Sequence, residues 1–331
     1  MSALLAKRLG AIVVISIALA GVLFYLQKIS PLDPVHARLG GQASASAVVA
    51  ERHRLGLDRP EFTQFVDYVR GAVHGDLGDS YRTRRPVSTD LRAYLPATAE
   101  LALSGLLIAM VLGVLLAFAT TLRWKASSVL RPVLLLGAST PTFLLGIAGI
   151  LLFYSKLHWL PATGRSSLAD IPGGPTGLIT VDALLHGRFD VFWDAVQHLI
   201  MPATAIALGP AVAIARVLRS SLVSDQRSDY ARTARAKGLS EPAILIKHVL
   251  RNCVGAALSM TGLQVGLMFA GVLVIEQVFS WPGIGQYVAQ SIPVADFPAI
   301  SGVTLLLGVG YVVINTVVDL LQAVADPRIK V

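Results

Sequence analysis

The residues of this 331-residue chain that could do chemistry are few and dispersed. His158, His186 and His198 lack the paired spacing of metal ligands, and a lone cysteine, Cys253, excludes an internal disulfide or a cysteine-based metal cluster. No serine–histidine pair is evident inside the apolar stretches, so an intramembrane hydrolase would lack its nucleophile and base. Gly75 to Ser80 reads Gly-Asp-Leu-Gly-Asp-Ser; it has turn glycines but no lysine of the kind a phosphate cradle uses. Glu100, Glu276 and Asp319 are ionisable groups in or beside apolar sequence, which makes them functional candidates. All three fall toward the ends of their stretches, whereas an ion-driven secondary transporter would place such groups near the bilayer midplane. Neither catalytic residues nor metal ligands are therefore expected. The remaining chemistry is that of contact, concentrated in the polar, basic stretch Asp229–Asn252.

The elements that must position these residues are membrane spans. The chain is 54% hydrophobic and 15% charged, with a mean hydropathy of +0.65. Six stretches of about 18 to 24 residues carry no Asp, Glu, Lys or Arg: Leu9–Leu26, Leu101–Leu122, Pro132–Ser155, Ala195–Ala215, Asn252–Ile275 and Phe297–Val318. That is the length a helix needs to cross the hydrocarbon core. The first is longer than a signal-peptide core and has no clear cleavage site after it, so it reads as a retained span. The net charge of +8 is distributed unevenly. Residues 1–8, 123–131, 216–252 and 324–331 carry +2, +3, +5 and +1, while 155–194 and 280–298 each carry −1. The long segment 28–95 exceeds the length to which the positive-inside rule applies. Both termini and the 216–252 loop are therefore expected in the cytoplasm. The basic charge then faces the anionic inner leaflet, and nucleic acid is not an expected partner.

The loop itself carries helix, turn and helix signals. Ser228 is a candidate cap for a short slim helix containing Ala231, Ala234 and Ala236; Gly238 sits where a left-handed stop is cheapest; Ser240, Glu241 and Pro242 restart the chain. Elsewhere, Pro31 and Pro34 turn the chain out of the first span, and Gly75 and Gly78 permit tight turns beside Asp76 and Asp79. Pro141, with Gly137, Gly146 and Gly149, predicts a kinked, closely packed third span, and Gly255, Gly262, Gly266 and Gly271 predict close packing of the fifth. Trp159, Phe192 and Trp193 are placed as interfacial anchors, and the scattered histidines as solvated or interfacial side chains.

Tyr230-Ala-Arg-Thr-Ala-Arg-Ala-Lys-Gly238-Leu239 resembles the cytoplasmic signature loop of ABC-importer permease subunits of the peptide and nickel branch. The general family pattern is Glu-Ala-Ala, three free positions, then Gly; Arg232, Thr233, Ala234 and Gly238 match it literally only at the second Ala and the Gly. The peptide-branch form is closer, although a proline usual soon after Arg251-Asn252 is missing. Three further segments are similar to the family: Gly75-Asp-Leu-Gly-Asp-Ser80 followed by Arg84-Arg-Pro-Val87, Glu276-x-x-Phe-x-x-Pro282-Gly-x-Gly285, and the C-terminal Asn315, Asp319 and Asp326-Pro-Arg328. Leu32 departs from the family's usual Pro-Gly-Asp-Pro.

The resemblance implies an all-α membrane protein with the six-helix type I ABC importer permease fold. Residues 1–27 would be the first transmembrane helix and 28–95 an extracytoplasmic segment. Residues 96–323 would be a five-helix core, including an outer loop at 156–194 and the ATPase-coupling loop at 219–252, and 324–331 a cytoplasmic tail. It also implies partners: a second homologous permease, two ATPase domains, an extracytoplasmic substrate-binding protein and membrane lipid. No cofactor is expected on this chain, with ATP and Mg held by the ATPases. The expected cargo is a di- or oligopeptide, with a nickel chelate or another small solute as the alternative. Tyr230, Ala231, Thr233, Ala234, Lys237, Gly238 and Leu239 are the expected coupling surface. Glu276, Glu100 and Pro141 are candidates for a gate or substrate path, and Gly75, Asp76, Gly78 and Ser80 for a loop facing the binding protein.

Overall fold

Apolar sequence without water has one local way to pair its amides, the helix. In a computed structural model, which describes residues 2–29, 33–39, 43–122 and 127–325, the only extended pairing among those residues is an isolated bridge between Asp79 and Pro86. The helices are α1 (Ser2–Ile29), α2 (Pro34–Leu39), α3 (Ala45–Arg54), α4 (Glu61–Val73), α5 (Val87–Thr121), α6 (Ser127–Ser139) and α7 (Thr142–Gly149), which continues as π-helix over Ile150–Lys156. After an irregular segment come α8 (Ile179–Leu185), α9 (Phe189–Asp225), α10 (Asp229–Ala236) and α11 (Glu241–Ile244). A π-helical turn, Leu245–Val249, joins α11 to α12 (Leu250–Val278), and α13 (Ile284–Ser291) and α14 (Phe297–Ala325) follow.

Among the described residues, five helical stretches are long and apolar enough to cross a membrane: Gly10–Ile29, Val87–Thr121, Phe189–Asp225, Glu241–Val278 and Phe297–Leu320. The third expected span departs from this. Pro141 takes ψ 138° and becomes the N-terminal boundary of α7, so Pro132–Ser155 is two short helices rather than one kinked helix. The cause is local: proline lacks an amide hydrogen and drives the residue before it out of helical geometry. Pro96, Pro202 and Pro210 are by contrast held inside α5 and α9.

The chain divides into two compact units, residues 1–97 with 282–313 and residues 98–281 with 314–331. In the first, Val87, Leu91, Ile284, Tyr287, Ala299 and Val303 form a buried cluster, and Tyr94 stacks on Tyr287 with ring centroids 5.1 Å apart. Phe24 of α1 meets Phe65 of α4 edge-on at 5.6 Å. In the second unit α9 is the axis, with two-thirds of its apolar window buried (67%). Among the residues of α5 that meet it are four small ones, four apart: Gly105, Ala109, Gly113 and Ala117. A Cβ on Gly105 would lie 2.5 Å from Ile206 Cδ1, and one on Gly113 would lie 3.0 Å from the Ala211 carbonyl oxygen. Leu103, Leu107, Val111 and Leu115 form the opposite, exposed stripe of α5. The small residues of α5 thus leave room for Ile206 and Ile214 of α9 to seat against its backbone, and the two helices approach closely. Gly137, Gly146 and Gly262 also sit against neighbouring side chains as expected, whereas a Cβ on Gly255 would meet nothing within 4 Å.

Candidate functional site

The 219–252 loop folds as the sequence predicts, with its two faces resolved. Ser228 takes an extended N-cap backbone, but its Oγ turns back to donate to the Asp225 carbonyl at 2.6 Å instead of capping α10. Ser240 likewise makes no side-chain cap bond to α11. After Ala236 the chain stops at Gly238, φ +78°, with the Gly238 amide donating to Arg235 O and the Leu239 amide to Ala234 O. Ala231 (0% exposed) and Ala234 (6%) face inward and pack in a cluster with Leu218, Leu222, Ile244, Leu245, Val249 and Cys253. They are therefore the inner seat of the loop and not part of an outward coupling surface, as their one-turn spacing dictates. Tyr230, Thr233, Lys237, Gly238 and Leu239 are exposed. The Tyr230 hydroxyl donates to Asp225 Oδ2 at 2.9 Å, and the same carboxylate oxygen stands 3.8 Å from Cys253 Sγ. Arg235 clasps Glu241 through two nitrogens and donates a third bond to Gln226 O, closing α10 against the start of α11.

Glu100 and Glu276, both in the larger unit, are buried and engaged. Glu276 is fully buried and accepts from Thr98 Oγ1 at 2.6 Å. Glu100, 3% exposed, accepts from Arg165 Nη2 through Oε2 and from the Thr180 amide and hydroxyl through Oε1 at 2.8 and 2.7 Å. It does not reach water at the end of its span; it fastens α5 to the start of α8. Arg165 also donates to Gly177 O at 3.0 Å and lies over the buried Trp281 ring at 5.8 Å. Pro141, exposed, marks the break between α6 and α7 and lies apart from these contacts.

In the smaller unit Gly75 and Gly78 have φ of +81° and +78°, and Asp76 Oδ1 accepts from the Gly78 amide at 3.0 Å. Gly75, Asp76 and Gly78 are exposed, but Ser80 is buried and donates to Asp296, which also accepts from the Arg82 amide at 3.1 Å. Ser80 therefore belongs to the interior of this loop and not to an outward face. Asp79 pairs with Arg38 at 3.1 Å rather than with a backbone amide. His198 is buried, contrary to a solvated reading. Its Nε2 is 3.2 Å from Ser167 Oγ, its Nδ1 is 2.8 Å from the Asp194 carbonyl oxygen, and the Asp194 carboxylate is taken by Ser166 and the Ser167 amide. The ring is thus hydrogen-bonded to its own helix backbone, with the Asp194 carboxylate 3.8 Å from Nδ1, beyond hydrogen-bond distance. Neither the Glu100–Arg165 pairing nor the His198–Ser167 contact is announced by a local pattern, because the partners lie 65 and 31 positions apart. Arg123, Lys125, Leu32 and Asp326-Pro327-Arg328 lie outside the described residues. No group of three or more His, Cys, Asp or Glu able to hold a metal occurs among the described residues.

Apolar spans together with one polar loop that has a packed inner face and an exposed outer one define an integral membrane protein. Residues 109–331 match the family model described as binding-protein-dependent transport system inner membrane component, and residues 1–102 match the model of that family's N-terminal part. The chain is 39% identical to the probable D,D-dipeptide transport system permease protein DdpB of Escherichia coli over 330 residues, covering 98% of this chain and 97% of that one. It is 37% identical to the dipeptide transport system permease protein DppB of Alkalihalophilus pseudofirmus, with 98% of each chain covered. It is 38% identical to the di/tripeptide transport system permease protein DppB of Pseudomonas aeruginosa, covering 100% of this chain and 99% of the relative. The chain belongs to the family of binding-protein-dependent transport system inner membrane components, and it is a multi-pass protein of the cytoplasmic membrane.

Proposed function

We propose that this permease works beside a second, homologous permease, two ATPase domains and an extracytoplasmic binding protein, and that its cargo is a di- or oligopeptide. The observation that carries the coupling role is the two-faced loop. Its alanines are seated on α9 and α12 residues, while Tyr230, Thr233, Lys237, Gly238 and Leu239 face outward. A helix so seated passes motion from a bound ATPase to the two spans it joins. The peptide cargo rests on the names of the relatives, which cover nearly the whole chain. α6 and the Thr142–Lys156 helix act in series as a sixth crossing, so both termini and the coupling loop lie in the cytoplasm. The chain itself makes and breaks no bonds; ATP and Mg belong to the ATPases. ATP binding closes those domains, the loop moves with them, and the cavity opens outward; coupling requires that the two nucleotide states prefer different permease conformations. Glu100 and Glu276 hold the outer ends of the spans together while the inner ends move.

The test is a mild-detergent pull-down followed by reconstitution with dipeptides, tripeptides and nickel chelates offered separately. Recovery of a second permease and two ATPase domains, with ATP hydrolysis stimulated by peptide-loaded binding protein, is the expected result. Stimulation by a nickel chelate alone would overturn the cargo, and recovery of an active chain without ATPases would overturn the machine.

A further inference from the structure

Arg38, Arg52, Arg54, Arg59, Arg85, Arg165, Arg188, Arg232 and Arg235 each stand within ion-pair distance of a carboxylate. Arg131, Arg216 and Arg219 are among the arginines with no carboxylate partner in the described residues, and what sets them apart is that all three line one cavity of about 560 Å³. Arg216 and Arg219 lie one turn apart on α9, Arg131 comes from α6, and Leu116, Leu135 and Val212 form an apolar wall beside them. Three guanidiniums converging without a counter-charge leave an unmet demand for an anion, and guanidinium geometry suits a phosphate. The wall decides what kind of phosphate. The cavity opens among the ends of α5, α6 and α9 at the edge of the apolar spans, so a ligand there meets charge on one side and hydrocarbon on the other. A free phosphate or a nucleotide uses only the first; a phospholipid uses both.

We infer that the cavity bounded by Arg131, Arg216, Arg219 and the Leu116–Leu135–Val212 wall is a binding site for the headgroup phosphate of an anionic phospholipid. The headgroup sits against the guanidiniums and one acyl chain runs along the wall. Basic pockets between spans at the membrane surface recognise anionic headgroups in this way, each nearby Arg contributing on the order of 1 kcal/mol, or about fivefold in affinity. The site lies beside a second basic cavity, lined by Arg219, Arg227, Arg232 and Arg235, which reaches the exposed side of α10. Arg219 is common to both, so a lipid in the first borders the surface that the coupling loop presents.

The full-length chain in neutral detergent is titrated with dioctanoyl-phosphatidylglycerol, dioctanoyl-phosphatidylcholine and inorganic phosphate, with thermal stability as the readout. Lipids retained through purification are identified by mass spectrometry, which needs no variant. Phosphatidylglycerol is expected to half-saturate at a concentration at least about tenfold below phosphatidylcholine, to lose that advantage in high salt, and to be enriched among the retained lipids. Each of Arg131→Gln, Arg216→Gln and Arg219→Gln should weaken phosphatidylglycerol binding by about fivefold, whereas Arg227→Gln, which removes the same charge outside the cavity, should not. Equal response to the two lipids, or equal stabilisation by inorganic phosphate, overturns the proposal. So does retention of phosphatidylglycerol undiminished by the three substitutions. A cavity filled instead by an acidic segment of another subunit would show the first of these results.

Discussion

Gly238 holds φ at +78°, and a Cβ built there would meet nothing within 4 Å. The constraint at this residue is therefore backbone conformation and not space within the chain. A β-branched residue is poorly tolerated in that region and even alanine costs about 1–2 kcal/mol. Gly238→Val should leave the chain inserted while peptide-stimulated ATP hydrolysis in the assembled transporter falls by about tenfold, with Gly238→Ala intermediate. Normal coupled transport by the valine variant would remove Gly238 from the coupling surface. Glu100 and Arg165 make the opposite case, two charges whose surroundings leave no substitute for each other. Glu100→Gln should cost about 3 kcal/mol in thermal unfolding because it strands a guanidinium that is only 14% exposed. Glu100→Leu combined with Arg165→Met should cost less than the sum of the separate changes; additive losses would show that the pair is not a coupled unit.

At the scale of elements, the packing of α5 on α9 depends on side chains that are absent. A Cβ on Gly113 would face a backbone carbonyl at 3.0 Å, which cannot rotate away as a side-chain end can. Gly113→Leu is expected to destabilise the protein by about 1–3 kcal/mol, read as a lower midpoint in detergent thermal unfolding. Gly255→Ala, in open space within this chain, should leave that midpoint unchanged. Equal effects of the two would mean that the α5–α9 approach is not the tight one. The small-residue stripe at Gly105, Ala109, Gly113 and Ala117 was legible in the sequence by its four-residue period. Ala231 and Ala234, expected on the coupling surface, turn inward instead; residues one turn apart share a face, and theirs is the apolar one. The break at Pro141 was legible as a disturbance; its degree was not, because proline inside a span is tolerated at Pro96, Pro202 and Pro210 of the same chain.

For the whole molecule, hydropathy and charge placed the spans, and five of six stretches are single helices of crossing length. What sequence could not give is pairing at a distance. Ser80 with Asp296 and Glu100 with Arg165 are separated by 216 and 65 positions, and no local pattern announces such contacts. The orientation makes a prediction that Cys253 renders simple, because the sole thiol is 2% exposed. In a Cys253→Ser background, a membrane-impermeant maleimide added to intact cells should label Asp76→Cys and spare Thr233→Cys until the membrane is broken. Labelling of Thr233→Cys in intact cells would invert the topology.

The burial of Ala231 and Ala234 separates two tasks that one short helix would otherwise have to reconcile. Fit to its own chain is met by two methyl groups; under the proposed coupling role, fit to another protein would be left to Tyr230, Thr233, Lys237 and Leu239, whose side chains lie outside that seat. Under that role Thr233, Lys237 and Leu239 could be rewritten to suit a different motor without disturbing the mounting, whereas a change at either alanine would loosen the mounting itself.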